Sequence, residues 1–531
     1  MHWFRFLFTL LGLVLVGIVL WYYYDQYVID SNPSDFTENV AEESDTEENP
    51  QISELPELFD PSLFIQYPEG AIRDEMVIHF RDRADYLKYL GALAGAGYQP
   101  IGQIDELLAV RISTDSLRVV DPSLFESERS FSYLLERPPA PVEIAPEAFA
   151  SLQAYGQSAR SIVGGLVDGG DGTGVLVGIL DSGIVPHAQF DDTYIVNIDL
   201  VGGGVGGPGA QHGTSVASII SGSEGIAPEA ELFVVRVLDD EGIGTSYDVA
   251  QGIIQAVDMG VDVLNMSLGV YQDVQILRDA VSYANQQGVI LVAAAGNDAY
   301  TQLPFPAAYP SVISVTAVDA RGQQALFPNQ SESINFAAPG VGIITANEEG
   351  GTIPFSGTSA AAPFVSGTLA AMLSADTNMS SQQAVELLQR HLNEAGSSGP
   401  DPVYGGGLVD WDRLRERGQP GLLDVAVADI HLASDATPGT MMPIEVTVQN
   451  RGTSWLASAD LEVMLGEDEP MAFTVGSLSP GQITSRKVFT QVPSLGSDET
   501  LQIGARVLPP EIESDIRLQN NLKVVTYRPR N

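Results

Sequence analysis

The stretch GVLVGILDSG (174–183) decides the fold of the central part of this 531-residue chain. An unbroken run of apolar residues and glycine ends at Asp181, which is typical of a short strand buried on both faces. Three similar runs follow, and helical stretches such as SYDVAQGIIQAVDMG separate them. The pattern predicts an α/β domain over about 145–415, with a parallel sheet and helices on both faces. The other runs are 232–238, 261–268 and 289–295.

Polar residues follow these runs at the places where parallel sheets bind ligands, beyond the carboxyl ends of the strands. Asp181 ends the first run, His212 enters a helix of small residues, and Asn297 follows the fourth run. Ser359 lies in SGTSAAAPFVSG (356–367). An acid, an imidazole and a hydroxyl can form a nucleophilic triad, in which Asp181 orients His212 and His212 takes the proton of Ser359. Asn297 offers an amide donor for a tetrahedral oxyanion.

The serine-containing stretch 356–367 also has a simpler interpretation. A Ser or Thr can cap the first turn of a helix, and Pro363 lies early enough for its missing N–H to do little harm. The stretch alone leaves both interpretations open. Asp181 and His212 favour catalysis, and a helix N-terminus beneath Ser359 would add partial positive charge where an alkoxide forms.

Seven motifs in order resemble the subtilisin-like serine protease family, the subtilases: DSG, HGTSVA, NMSLG, AAGN, FPAAYPSVISVTAVD, AAPG and GTSAAAP, within about 174–407. The chain order Asp, His, Ser is the order found in subtilisin. The resemblance implies a peptide endopeptidase acting on proteins or peptides, with no cofactor required for its chemistry. It implies Asp181, His212 and Ser359 as the triad and Asn297 in the oxyanion hole.

The same resemblance implies that Ser267, Leu268 and Gly269 form an edge that pairs with the substrate backbone. One residue departs from the family pattern: Ala360 stands where many members carry Met. The wider GTSxAxP pattern is retained, so we expect an active enzyme.

Metal ligands are not fixed by the sequence. Many subtilases bind structural calcium, and five acidic loop residues could supply ligands, although such residues are more often simply solvated. His187 lies six residues after Asp181 and suggests a metal site with His212, but we favour a structural role in its loop. The five acidic residues are Asp191, Asp192, Asp239, Asp240 and Glu241.

A small α+β domain is predicted over about 66–138. EMVIHF (75–80) fits a strand, and RADYLKYLGAL fits an amphipathic helix capped by Asp82. YQPIG, LLAVRIST and SFSYLLERP (130–138) fit three further strands. Position and element order resemble subtilase prodomains, which inhibit their own protease with the C-terminal tail. We expect self-cleavage within about 136–150.

A membrane anchor is predicted over residues 1–30. Residues 6–24 form 19 positions without a charge, a helix of roughly 28 Å that matches the hydrocarbon thickness of a bilayer. A cleaved signal peptide is the alternative, but its apolar region would be shorter and would end in small residues. Arg5 precedes the span, which places the rest of the chain outside the cytoplasm. Residues 31–60 carry ten acidic and no basic side chains, typical of a disordered tether.

The C-terminal part, about 421–531, consists of strand-length alternating stretches separated by turns, which predicts a two-sheet β-sandwich. It resembles the bacterial cell-adhesion-related sandwich family and shows no catalytic set. Spacing, docking and substrate presentation are possible roles, and a stabilising appendage is an equally good interpretation.

The amino-acid composition of the chain excludes several classes of function. The 25 Lys and Arg against 69 Asp and Glu give a net charge of −44, which argues against nucleic acid as a partner. With no cysteine, disulfides and thiolate metal sites are excluded. An inactive scaffold or adhesion protein would lack a triad member, and a lipase would need a G-x-S-x-G motif and the order Ser, Asp, His. The favoured prediction is a membrane-anchored, extracytoplasmic protease that processes itself. Cleavage would either release it or leave it held by non-covalent contact with its prodomain.

Overall fold

The computed structural model describes residues 65–144, 146–167, 169–207, 209–432, 439–466, 468–492, 500–510 and 514–527. The predicted membrane helix and acidic tether lie outside these residues. Among the helices that are described, none combines the length and apolar character needed to cross a bilayer. Residues from Pro61 to Asn531 belong to one compact unit.

The N-terminal domain is a four-stranded antiparallel sheet with a single long helix packed on it. The sheet order is β2-β3-β1-β4, and Asp82 caps the helix by accepting a hydrogen bond from the Asp85 amide at 2.9 Å. The elements are β1 (Glu75–Phe80), α1 (Arg83–Gly95), β2 (Gly102–Ile104), β3 (Ala109–Ser113) and β4 (Ser127–Ser130). The predicted α+β arrangement is therefore present.

Two predicted strands of this domain differ from the structure. Of YQPIG, only Gly102 belongs to β2, because Pro100 cannot donate to a ladder. Of the stretch 130–138, only Ser130 belongs to the sheet, as the last residue of the short polar strand β4 that completes it. Instead, β5 (Leu134–Glu136) leaves the domain and pairs with β9 (Ile243–Thr245) of the central domain.

The central domain contains the predicted parallel sheet. Seven strands run in the order β13-β12-β11-β10-β6-β8-β7, and each neighbouring pair is parallel. The four apolar runs of the sequence correspond to β6, β8, β10 and β11. The strands are β6 (Leu176–Asp181), β7 (Ile195–Asp199), β8 (Glu231–Arg236), β10 (Val263–Met266), β11 (Ile290–Ala294), β12 (Val312–Val318) and β13 (Phe336–Pro339), and β14 (Ile343–Ala346) and β15 (Thr352–Phe355) form a separate hairpin.

Helices cover both faces of the sheet, which explains why its strands are apolar on both sides. Alternate strand residues enter two different cores: Ile179 packs with α5 and α8, whereas Leu180 packs with α6 and α7. The helices are α2 (Pro141–Ile144), α3 (Pro146–Ala150), α4 (Ala159–Val163), α5 (Gln211–Ile220), α6 (Ser246–Asp258), α7 (Gln275–Gln286), α8 (Thr358–Ala375), α9 (Ser381–Arg390) and α10 (Trp411–Glu416).

The N-terminal sheet packs on α6 and α7. Val77, Ile104 and Ala109 of the sheet are buried in the same apolar core as Ile253 and Leu277 of those helices. The N-terminal domain therefore covers the outer helices of the central domain, and its chain continues from there towards the sheet's carboxyl edge.

The C-terminal domain is the predicted sandwich of two antiparallel sheets around one apolar core. One sheet has the order β16-β17-β20 and the other β19-β18-β21-β22. The strands are β16 (Val425–Leu432), β17 (Met441–Asn450), β18 (Ala459–Leu465), β19 (Met471–Val475), β20 (Ile483–Gln491), β21 (Leu501–Leu508) and β22 (Leu522–Tyr527).

Candidate active site

The four predicted catalytic residues lie at the ends or starts of elements around the carboxyl edge of the sheet. Asp181 is the last residue of β6, and Asn297 follows β11. His212 is the second residue of α5, and Ser359 is the second residue of α8. His212, Asn297 and Ser359 line one cavity of about 980 Å³, so parallel strand geometry brings distant parts of the chain together.

Asp181 and His212 form a buried hydrogen-bonded pair. His212 Nδ1 donates to Asp181 Oδ1 at 2.8 Å and lies 3.0 Å from Oδ2, which fixes the neutral tautomer with Nε2 as an acceptor. The Ser182 amide donates to the same Oδ1 at 2.7 Å. Gly213 makes the pair possible, because a Cβ there would meet the Gly183 carbonyl oxygen at 2.1 Å. The pair can therefore hold an imidazole ready to accept a proton.

Ser359 is buried at the start of α8, and its Oγ has no hydrogen-bond partner among the residues that the structure describes. Ser359 Oγ therefore forms no hydrogen bond with His212 here, although both side chains line the cavity. Hydrogen bonds of this kind often tighten only when the substrate reacts. A serine nucleophile requires a general base within hydrogen-bond reach, and His212, which lines the same cavity, carries a side chain of that kind.

The first turn of α8 is capped by Gly357, not by a Ser or Thr side chain as the simpler interpretation of the stretch supposes. Gly357 has a φ of 130°, and a Cβ there would lie 2.9 Å from Asn297 Nδ2. The backbone amide of Thr358 donates to Asn297 Oδ1 at 3.0 Å, and its hydroxyl donates to the same atom at 2.9 Å. These two bonds orient the Asn297 amide and leave Nδ2 available as a donor.

Pro363 has a local consequence inside α8. It removes the amide that would bond the Ser359 carbonyl, and that oxygen instead lies 3.5 Å from the Ser267 hydroxyl. Ser267 is fully buried and also accepts from Asn265 Nδ2 at 3.2 Å. Its side chain thus supports the turn that carries Ser359, in addition to the backbone role that the resemblance implies for Ser267.

The predicted substrate-binding edge is occupied by the chain's own tail, which we define as residues 134–141. The Gly269 amide donates to the Glu136 carbonyl at 2.9 Å, and the Glu136 amide donates back to Gly269 at 3.1 Å. Gly269 also allows close packing, since a Cβ would lie 2.6 Å from Pro304 Cβ. Leu268 between Ser267 and Gly269 is buried in the core.

The tail has a second edge on its other side, which the sequence analysis missed. β5 pairs antiparallel with β9, and the Arg137 amide donates to the Gly242 carbonyl at 3.1 Å. The stretch GIGT (242–245) carries too few apolar residues to mark a strand, so only its glycines could have drawn attention to it. Beyond this pairing, the Pro139 carbonyl accepts a hydrogen bond from Asn297 Nδ2 at 2.9 Å.

The acidic loop residues considered as calcium ligands do not gather into a site within the described ranges. In the described part of the chain, no group of three or more His, Asp or Glu side chains is placed to hold a metal ion. Asp239 accepts amide hydrogen bonds within its own loop, and Asp240 pairs with Arg236 at 2.7 Å. His187 accepts from the Gln189 amide and donates to the Gly351 carbonyl, which is the structural role expected for it.

The fold and the site define the class of serine hydrolases, because they bring together an Asp–His pair, a serine at a helix N-terminus and an asparagine side-chain amide. The model of the Subtilase family matches residues 172–407, and the CARDB model matches residues 423–507. The chain belongs to the subtilase family, and its central domain is accordingly a serine endopeptidase. Subtilases need no cofactor for catalysis.

Relatives of known identity agree with this assignment. The minor extracellular protease Epr of Bacillus subtilis is 35% identical over 251 residues, 45% of this chain and 38% of that protein. The thermostable alkaline protease of Halalkalibacterium halodurans is 35% identical over 46% of this chain and 68% of its own length. Subtilisin BL of Lederbergia lenta is 34% identical over 45% of this chain and 90% of its length. The chain thus spans less than half of Epr but nearly all of subtilisin BL.

Proposed function

We propose that the chain is a latent endopeptidase for protein or peptide substrates whose N-terminal domain inhibits it through the tail. The hydrogen bond from Asn297 Nδ2 to the Pro139 carbonyl supports this proposal most directly. A carbonyl oxygen bonded to the oxyanion donor, on a backbone paired along two edges, is bound in the manner of a substrate. While the tail stays there, other substrates are excluded from the site.

In the proposed mechanism, Ser359 Oγ attacks the substrate carbonyl while His212 Nε2 takes its proton. Asp181 stabilises the imidazolium through Nδ1, and Asn297 Nδ2 stabilises the oxyanion together with the partial positive charge of the α8 N-terminus. His212 then protonates the departing amine. In the second half of the reaction, water attacks the acyl-enzyme while His212 acts as the base and takes its proton. His212 then returns the proton to Ser359 Oγ as the acyl group leaves.

We place the self-cleavage at the Pro139–Ala140 bond, because the Pro139 carbonyl is the one that Asn297 contacts. This bond lies within the expected range of 136–150. Two proposals, the self-processing protease and the cleaved bond, are tested with the part of the chain that follows the predicted membrane anchor. Its intact mass and N-terminal sequence are compared with those of its Ser359→Ala variant. We expect a new N-terminus at Ala140 in the native protein and an unprocessed Ser359→Ala protein.

The two proposals fail in different ways in that experiment. A new N-terminus elsewhere, again absent from Ser359→Ala, would overturn the assigned bond and keep the self-processing protease. Identical processing of both proteins would show that another protease makes the cut. If neither protein were cleaved and a chromogenic peptide were also left intact, the endopeptidase proposal itself would be contradicted.

For the location of the enzyme, we propose a membrane anchor at residues 6–24 with the catalytic part outside the cytoplasm. The uncharged run, the preceding Arg5 and the following aromatic residues support it. Cleavage after Pro139 would separate the protease from this anchor and leave non-covalent contact with the N-terminal domain. Fractionation of cells after dissociation of the two pieces should then find the protease in the soluble fraction; retention in the membrane would contradict release.

A further inference from the structure

A second cavity, of about 670 Å³, lies between the end of the central domain and the sandwich. Four arginines line it: Arg390, Arg413 and Arg417 from the central domain and Arg451 from the sandwich. The whole chain has only 25 basic residues against 69 acidic ones. Such a concentration of positive charge is opposite to the charge of the molecule around it and needs an explanation.

Neighbouring carboxylates do not neutralise these charges fully. In the described part of the chain, no carboxylate oxygen forms an ion pair within 4.0 Å of Arg390, Arg413 or Arg451. Arg413 donates to the carbonyl oxygens of Leu392 and Arg451, the latter at 3.3 Å. These bonds hold the guanidinium in place, and the more distant carboxylates of Asp410 and Asp424 compensate its charge only in part.

Arg451 has spare hydrogen-bonding capacity. Its Nε donates to Gln449 Oε1 at 3.1 Å, and its two terminal nitrogens make no hydrogen bond to any described residue. Burial lowers the pKa of Arg451 and lowers that of Arg413 to about 10, so that Arg413 remains charged near neutrality. The charges of Arg413, Arg417 and Arg390 add to burial in lowering the pKa of His391.

The two acidic residues in the lining do not fill the role of a counter-ion. Glu416 pairs with Arg517 at 2.7 Å. Burial raises the pKa of Glu394 to about 7, and its Oε1 accepts a hydrogen bond from the Gly399 amide at 2.9 Å. Near neutral pH a sizeable share of the Glu394 carboxyl groups is therefore protonated and able to donate to an anion.

We propose that this cavity is a binding site for a phosphate or sulfate group. Planar guanidinium groups bind such tetrahedral oxyanions through paired, charge-assisted hydrogen bonds. The volume is within the range of small-ligand sites, about 300–1,000 Å³. Because Arg451 belongs to the sandwich and Arg390, Arg413 and Arg417 to the central domain, a bound anion would bridge the two domains. The site is independent of the proposed proteolysis.

The test uses the full chain with Ser359→Ala, so that self-cleavage does not complicate it. Sodium phosphate is titrated by calorimetry, and thermal unfolding is followed in phosphate and in sodium chloride of equal ionic strength. The chloride arm matters because any salt screens repulsion in so acidic a protein. We expect saturable binding of one phosphate per chain and a higher unfolding temperature in phosphate than in chloride.

Two variants and one control assign the site. Arg451→Gln should weaken phosphate binding at least tenfold. Arg390→Gln removes an exposed arginine whose Nε donates to the Glu386 carbonyl of its own helix at 3.2 Å, and it should weaken binding as well. Arg506→Gln, an exposed sandwich arginine paired with Glu462 at 2.7 Å, should leave binding unchanged. Equal unfolding temperatures in phosphate and chloride, or unchanged binding in Arg390→Gln, would overturn the proposal.

A further binding measurement with dextran sulfate distinguishes two sources of the anionic group, a polysaccharide and a free ion. Tighter binding of the polymer, lost in Arg451→Gln and retained in Arg506→Gln, would indicate a sulfate- or phosphate-bearing polysaccharide. Binding of phosphate alone, with no competition from the polymer, would indicate a free ion.

Discussion

Asn297 and Pro139 are separated by 158 positions in the chain, yet Nδ2 of the first donates to the carbonyl oxygen of the second at 2.9 Å. The two Thr358 bonds to Asn297 Oδ1 fix the direction of that donor before any substrate arrives. Under the proposed mechanism the donor is therefore preorganised for an oxyanion, which is the condition under which such groups contribute most to catalysis.

The first prediction concerns this donor. Asn297→Ala should lower kcat for peptide hydrolysis by about 10²–10³, with little change in KM, because the bond strengthens as charge develops; this magnitude is the one known for the same loss in subtilisin, a member of this family. Self-processing should slow in parallel. Steady-state kinetics with a chromogenic peptide give the result, and a raised KM with unchanged kcat would instead assign Asn297 to ground-state binding.

The second prediction concerns the prolines of the tail. Glu136 and Arg137 each donate an amide to an edge of the cleft, but Pro138 and Pro139 have no N–H to continue the pairing. Pro139→Ala restores one donor next to the bond that we expect to be cleaved, so it should speed self-processing several-fold. Pro100→Ala, in the N-terminal domain, is the matched control.

Processing is followed by gel electrophoresis or intact mass over time after refolding. A slower reaction in Pro139→Ala would show that the proline ring favours the cleavable geometry. An equal acceleration in Pro100→Ala would mean that the change acts through folding of the N-terminal domain.

The sheet and the positions of the four candidate residues were predictable because their signals are local. Each buried strand is a continuous apolar run, and each candidate side chain follows such a run or lies at the start of a helix of small residues. Parallel strands place their carboxyl ends at one edge, so Asp181 and Asn297 could be assigned to one site without knowing any contact.

The course of the tail was not predictable on those grounds. The alternation in 130–138 fits a strand of either domain equally well, and the partner that decides between them, Gly244 opposite Leu135, lies 109 residues further on. The true fourth strand, SERS (127–130), is polar and lacks any apolar pattern. The arginine-lined cavity was not predictable either, because it is formed by contacts between two domains that are separate in the sequence.

The third prediction concerns the docking of the N-terminal domain. Arg111 on β3 donates to Glu75 Oε2 at 2.7 Å and to Asp248 Oδ1 of α6 at 3.3 Å, and all three side chains are largely buried. Arg111→Met removes the partner of Glu75 and leaves Asp248 with the Thr245 hydroxyl at 2.6 Å, and breaking a buried ion pair in this way costs about 3–5 kcal/mol. We expect the N-terminal domain of the Ser359→Ala protein to loosen.

Limited proteolysis between residues 138 and 150, together with urea unfolding, measures that loosening. Arg81→Gln is the control, since Arg81 forms an exposed pair with Glu128 at 3.1 Å that contributes at most about 1 kcal/mol. Equal effects of the two substitutions would show that the Arg111 pair has no special part in docking.

The fourth prediction concerns pH. Burial lowers the pKa of His79 to about 4, and its Nε2 shares a hydrogen bond of 2.7 Å with Ser130 Oγ that joins β1 to β4. Two carboxylates face the ring, Asp279 of α7 at 3.6 Å from Nδ1 and the more distant Glu128, and neither restores the usual pKa. The native state therefore holds His79 neutral, whereas the unfolded chain protonates it near its ordinary pKa of 6.5.

Because the unfolded state binds the extra proton, acid lowers the free energy of unfolding. The contribution of neutral His79 to that free energy is fully present above about pH 6.5. It is lost progressively towards pH 4, and the whole loss amounts to about 3 kcal/mol. Hydrogen exchange of the β1 and β4 amides in the Ser359→Ala protein, at pH 7 and pH 4.5, measures it. His79→Gln keeps a hydrogen-bonding group beside Ser130 but cannot titrate, so its protection should depend less on pH. The same pH dependence in both proteins would show that carboxylates, and not His79, control the acid sensitivity of the N-terminal domain.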